Sequence, residues 1–129
     1  MAKKALPRPT DAELEILRVM WRQGPGTVRE IHETLAETRQ VGYTTVLKML
    51  QIMSAKGLVQ RDEQQRAHVY RAALREEQTQ QQIIGDVLER VFDGSALNLL
   101  MQALASKRAS TEELDQIRTL LNDYERGQA

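Results

Sequence analysis

Tyr43-Thr44-Thr45-Val46-Leu47-Lys48-Met49-Leu50-Gln51-Ile52-Met53-Ser54-Ala55-Lys56-Gly57, followed directly by Leu58-Val59-Gln60-Arg61, is the stretch on which the fold turns. At the helical period Val46, Met49, Leu50 and Met53 share one arc, which predicts a helix from about Tyr43 to Lys56 with that face turned inward. Gly57 supplies the left-handed position that ends it. The opposite face carries Thr44, Lys48, Gln51 and Ala55, flanked by Thr45 and Leu47. Beyond Gly57, Leu58-Val59-Gln60-Arg61 and Ala67-His68-Val69-Tyr70-Arg71 are β-branched or aromatic enough for two strands, joined by the polar run Asp62 to Arg66.

Upstream, Thr10-Asp11-Ala12-Glu13 reads as a capping box that opens a first helix. Leu14, Ile16, Leu17, Met20 and Trp21 form its apolar arc, and Gly24-Pro25-Gly26 ends it. A second box, Thr27-Val28-Arg29-Glu30, opens a short helix with Val28, Ile31 and Leu35 on one side, stopping near Glu37. Three helices followed by two strands is the order of a winged helix-turn-helix. Its predicted core is Leu14, Leu17, Trp21, Ile31, Leu35, Val46, Leu50 and Met53.

From Arg75 onward the pattern is wholly helical. Ile83, Ile84, Val87, Leu88 and Val91 stripe a fourth helix, which Phe92-Asp93-Gly94 breaks. Ser95 caps a fifth, carrying Leu97, Leu100, Met101 and Leu104, and Ser110-Thr111-Glu112-Glu113 reads as a third capping box before Leu114, Ile117, Leu120, Leu121 and Tyr124. The predicted class is mainly α with a small β wing: a winged-helix domain over 1–74 and a helical dimerisation domain over 75–129. Three short helices hold more large aliphatics than a piece of this size readily buries, so these stripes are expected to be shared across a two-fold axis.

The formal charge is zero, yet its distribution is uneven. Residues 1–74 hold 12 Lys/Arg against 8 Asp/Glu, a balance of +4, and residues 75–129 hold 6 against 10, a balance of −4. An electropositive front half suits a phosphate binder. No cysteine is present, so disulfides, thiolate metal sites and cysteine nucleophiles are excluded. No apolar run reaches membrane-spanning length and the first residues lack a secretory pattern, so no membrane insertion and a cytoplasmic location are expected.

Double-stranded DNA is the expected partner of the third helix, through Thr44, Thr45, Lys48 and Gln51, with Leu47 placed to touch a thymine methyl. Arg61, Arg66 and His68 in the wing, Arg39 before the helix, and Lys3, Lys4, Arg8 and Thr10 near the N-terminus extend the candidate contacts. The competing reading is a winged helix used for protein contact, because a polar outer face with one lysine is common to surface helices. Catalysis has little support: His32 fits a packed position on the second helix, and Asp86, Glu89 and Asp93 fit a solvated helix face better than a metal site. No cofactor is expected.

Pro9-Thr10-Asp11-Ala12-Glu13-Leu14-Glu15-Ile16-Leu17, Met20-Trp21, Thr27-Val28-Arg29-Glu30-Ile31, Tyr43-Thr44-Thr45-Val46, Lys56-Gly57-Leu58-Val59 and Tyr70 together resemble the BlaI/MecI penicillinase-repressor family. Phe92-Asp93-Gly94-Ser95 and Glu112-Glu113-Leu114 extend the likeness more loosely. The resemblance implies a homodimer on an inverted-repeat operator with TACA/TGTA-like half-sites, repression of β-lactamase or related genes, and release by a membrane-bound sensor protease. It places base-reading positions at Tyr43, Thr44, Thr45 and Lys48, with Leu47 where a polar residue is more usual. Two departures matter. The family's Asn-Phe cleavage position falls on Gln102-Ala103, and the cysteine cluster of the copper-responsive relatives is absent.

Overall fold

The computed structural model describes residues 7–64 and 66–127, so Lys3 and Lys4 lie outside the described residues. Its elements are α1 (Asp11–Gln23), β1 (Gly26–Thr27), α2 (Val28–Ala36), α3 (Tyr43–Lys56), β2 (Val59–Asp62), β3 (Val69–Ala72), α4 (Glu76–Arg90), α5 (Ala96–Ser106) and α6 (Thr111–Glu125). This is a winged helix followed by helices, the class the sequence predicts.

The first two capping boxes close in both directions. Thr10 accepts from the Glu13 amide at 3.2 Å while its own amide donates to Glu13 Oε1 at 2.9 Å. Thr27 and Glu30 repeat the exchange at 3.2 and 2.8 Å. At α6 only one leg forms: Ser110 accepts from the Glu113 amide at 3.0 Å, and no return bond from Glu113 is found among the described residues. α3 ends at Gly57, whose φ of 85° is left-handed; the Leu58 amide reaches back to the Met53 carbonyl at 2.9 Å. A side chain at that φ would be strained, so glycine here lets the chain turn sharply into the sheet.

The sheet has order β1-β3-β2, antiparallel throughout, with Arg61 opposite Tyr70 and Gly26 on the other edge of Tyr70. β1 went unforeseen, because two residues carry no alternation and Gly24-Pro25-Gly26 reads only as a breaker. The other strands begin and end one or two residues later than predicted.

Val46, Leu50 and Met53 of α3 are wholly inaccessible. They pack with Ile16, Leu17, Val19 and Met20 of α1, Val28, Ile31 and Leu35 of α2, and Leu58, Val59 and Tyr70. Leu14 and Trp21, predicted for this core, are only half-buried. They line a cleft with Thr79, Gln80 and Ile83, and the Trp21 indole N–H donates to the Leu74 carbonyl at 3.0 Å. The first half of α4 therefore goes with the winged helix. The chain divides into compact units Met1–Gly85 and Asp86–Ala129, a division later than the limit at residue 74 drawn from the sequence.

Within the second unit α5 and α6 bury no residue at all. Asp93, at φ 52°, and Gly94 make the left-handed break between α4 and α5. Val91, Leu97, Met101, Leu120, Leu121 and Tyr124 are exposed, whereas Val87, Leu88, Leu100, Leu114 and Ile117 are half-buried.

One buried charge crosses the first core. Glu13 is 5% exposed, and both its carboxylate oxygens accept from the Lys56 ammonium, at 2.7 and 3.0 Å. Burial pushes its pKa up, but the Lys56 hydrogen bond, the Thr10 amide and the Lys56 charge together hold it below the ordinary 4.5. A depressed folded value means that the stabilisation is complete above 4.5 and fades as pH falls through the folded value. Glu13→Gln is expected to cost about 1 to 3 kcal/mol at neutral pH in urea unfolding. The gap to wild type should narrow in acid; a gap that stays constant from neutral pH to about pH 3 would contradict the ion pair's role.

Candidate nucleic-acid interface

The same packing that buries Val46, Leu50 and Met53 dictates what α3 shows outward. Thr44, Thr45, Lys48, Gln51, Ile52 and Ala55 are all exposed on one continuous face. It combines hydroxyls, an amide, one cation and small side chains, so a base edge or phosphate can approach closely and find both donors and acceptors. Lys48 forms no ion pair among the described residues. Its N-terminus is also open: Gly42 offers no capping side chain. The first-turn amides thus carry the positive end of the helix dipole without an oxygen from their own cap.

Beside this face lies a concavity between the starts of α2 and α3 and the wing. Tyr43, Leu47, Arg66 and His68 line it, together with Arg29 and Tyr70. Arg66 and His68 are exposed in the loop between β2 and β3. This is where a duplex seated on α3 would meet the wing, lined by Arg66, His68 and Arg29, the last of these 3.8 Å from Glu33 of its own helix.

Leu47 differs from its sequence reading. It is half-buried and packs against the core, so its main contacts are within the protein. The large apolar side chain on the outward face is instead Ile52, 49% exposed. The helical wheel already sets Ile52 between Thr45 and Lys48, but an isolated apolar side chain carries no signal for a polar face. Arg29 was missed for another reason: only the fold brings the start of α2 to the wing.

Other predicted contacts lie apart from this face or are engaged elsewhere. Arg39 pairs with Glu15 of α1 at 3.1 Å, and Arg61 pairs with Glu63. Thr10 is exposed but its amide and hydroxyl oxygen serve the α1 cap. Arg8 is exposed near the other end of α3, since Pro7 lies beside Gly57: a Cβ built on that glycine would stand 3.9 Å from the proline ring. α3 is 14 residues long, so this end is about 20 Å from Tyr43. His32 is half-buried on α2, bonded to a backbone carbonyl, as a packed rather than catalytic histidine should be.

Three helices, a three-stranded sheet and an outward polar face on the third helix define the winged-helix class used by DNA-binding regulators. Residues 9–123 match the family described as penicillinase repressor, and the chain belongs to that family. It is similar to the transcriptional regulator BlaI of Mycobacterium tuberculosis, 31% identical over 128 residues, spanning 98% of this chain and 91% of the relative. The penicillinase repressor of Bacillus licheniformis is 24% identical over 121 residues, 94% of either chain. Among solved structures, the DNA-binding domain of the repressor BlaI superposes with a TM-score of 0.50 at 28% identity, over 57% of this chain and 90% of that one. The Bacillus licheniformis BlaI monomeric form in complex with the blaP half-operator gives 0.51 at 28% identity, over 58% and 92%. These relatives are regulators and repressors rather than enzymes, in keeping with the sequence reading. No helix among the described residues is long and apolar enough to cross a membrane.

Leu47→Ala tests the reassignment of that side chain. A half-buried leucine packed on the core should cost about 1 to 2 kcal/mol in urea unfolding, whereas an exposed one would change stability by less than about 0.5 kcal/mol.

Proposed function

We propose that this chain is a sequence-specific transcriptional repressor that binds operator DNA as a homodimer, each winged helix reading one half of an inverted repeat. The observation that carries the reading is the outward face of α3, where Thr44, Thr45, Lys48 and Gln51 stand exposed beside the wing. The likeness to a BlaI solved in complex with the blaP half-operator supports operator DNA as the partner. Bases are read by Thr44, Thr45, Lys48, Gln51 and Tyr43; Arg66, His68 and Arg29 hold the phosphates flanking them. Arg61, Arg39, Arg8 and Thr10 have lesser parts, because each is engaged by a carboxylate or a cap or lies near the far end of α3. The regulated genes are of the β-lactamase or a related stress type.

Dimerisation through the C-terminal helices is supported by their unspent apolar surface. In the stripes at Ile83, Ile84, Val87, Leu88 and Val91, at Leu100 and Leu104, and at Leu114, Ile117, Leu120, Leu121 and Tyr124, every residue is exposed or only half-buried within one chain. A two-fold partner with the same stripes would cover them. Release by a sensor protease belongs to the family reading, but Gln102-Ala103, exposed on α5, lacks the Asn-Phe pair that the resemblance associates with the cut.

Lys48→Ala and Thr44→Ala should each weaken binding to an operator selected from genomic fragments by about 1 to 3 kcal/mol, with urea unfolding unchanged. Unaltered affinity in both would contradict the assignment and leave the protein-contact reading of the winged helix. Ile117→Asp sets an unpaired carboxylate in the proposed interface and should give a folded monomer. Operator affinity should then fall toward the roughly 10⁻⁴ to 10⁻⁶ M of non-specific association. Light scattering, circular dichroism and titration at fixed salt measure the three quantities; a monomer that binds as tightly as wild type would remove the dimer from the mechanism.

A further inference from the structure

α3 is the one helix in the winged-helix domain whose end must be placed against another molecule, yet its N-cap, Gly42, contributes no side-chain hydrogen bond. α1 and α2 are each fastened at that position by a threonine and a glutamate. What fastens the start of α3 comes from a neighbouring helix. His32 of α2 places Nε2 at 2.8 Å from the Val41 carbonyl, in the turn between the two helices. A carbonyl only accepts, so the hydrogen of this bond sits on Nε2. The Val41 side chain packs on the core from the same turn. The ring of His32 then meets the ring of Tyr43, the first residue of α3, edge to face, with centroids 6.0 Å apart and planes at 81°. Ile31, the preceding residue of α2, is fully buried, which anchors the element from which His32 projects.

From these contacts we infer that His32 is a positioning residue for DNA recognition: it fixes the turn at Val41 and holds the Tyr43 ring in its orientation toward the operator. Tyr43 is 48% exposed and lines the concavity beside the wing, so its free rotation would otherwise have to be frozen when DNA binds. The edge-to-face contact restricts that rotation beforehand. The role rests on the DNA-binding reading above.

A double-mutant cycle on the full chain separates positioning from bulk stability. Affinity for a selected operator duplex and for a scrambled duplex would be measured for wild type, His32→Ala, Tyr43→Ala and the double variant. His32→Ala is expected to weaken operator binding about threefold to tenfold, the range an aromatic edge contact commands, while binding to the scrambled duplex holds. With Tyr43 already removed, the further loss of His32 should cost little operator affinity. If the two losses multiply, His32 acts through general stability and the inference is overturned. Should His32→Ala unfold, His32→Leu, which fills similar space without a ring or a donor, takes its place in the cycle with Tyr43→Ala and the same outcomes decide. Wild type that binds both duplexes equally would overturn the DNA-binding reading itself, and the positioning role with it.

Discussion

Three side chains of α3, Val46, Leu50 and Met53, have no accessible surface, and the rest of the winged helix depends on that seating. They stand at i, i+4 and i+7, so burying them fixes the rotation of α3 about its own axis. Fixing that rotation leaves Thr44, Thr45, Lys48, Gln51 and Ile52 no direction but outward. The hydrophobic core and the exposed polar face are therefore one decision made by one helix. A change of even one position in this pattern would turn a polar residue into the core and an apolar one toward solvent.

Around that seating, the ends of α3 are held by different chemistry. Its C-terminus is tied by the Glu13–Lys56 pair and by the left-handed turn at Gly57. A buried carboxylate is costly to hold, and it persists here because both of its oxygens are satisfied and because it also closes the α1 cap. Its N-terminus is held by packing of Val41 and by His32 instead of a cap. That arrangement leaves the backbone amides of the first turn without a side-chain oxygen from their own N-cap.

Much of this was legible in the sequence, for reasons that can be named. Thr10-x-x-Glu13 and Thr27-x-x-Glu30 announce helix starts because a side-chain oxygen three residues from a glutamate satisfies two orphan amides at once. The 3.6-residue period of α3 separates inside from outside without any coordinates. What stayed hidden depended on contacts distant in sequence. Trp21 finds Leu74 fifty-three residues away, which attaches the start of α4 to the first unit and moves the boundary. Arg39 reads as an available phosphate binder because only the fold sets Glu15 of α1 beside it. Leu47 packs on the core and Ile52 stands exposed because the core meets α3 on a flank that a wheel of one helix cannot show. The C-terminal stripes were equally visible, and their apolar side chains stand exposed or half-buried in one chain.

The most direct test follows backbone amide resonances of the labelled full chain during titration with a selected operator duplex and with a scrambled duplex of equal length. The account predicts operator-specific shifts concentrated at Thr44, Thr45, Lys48 and Gln51 of α3 and at Arg66 and His68 of the wing. The scrambled duplex should shift them weakly. Operator-specific shifts that avoid α3, or identical responses to the two duplexes, would contradict the claim that this face of α3 reads DNA.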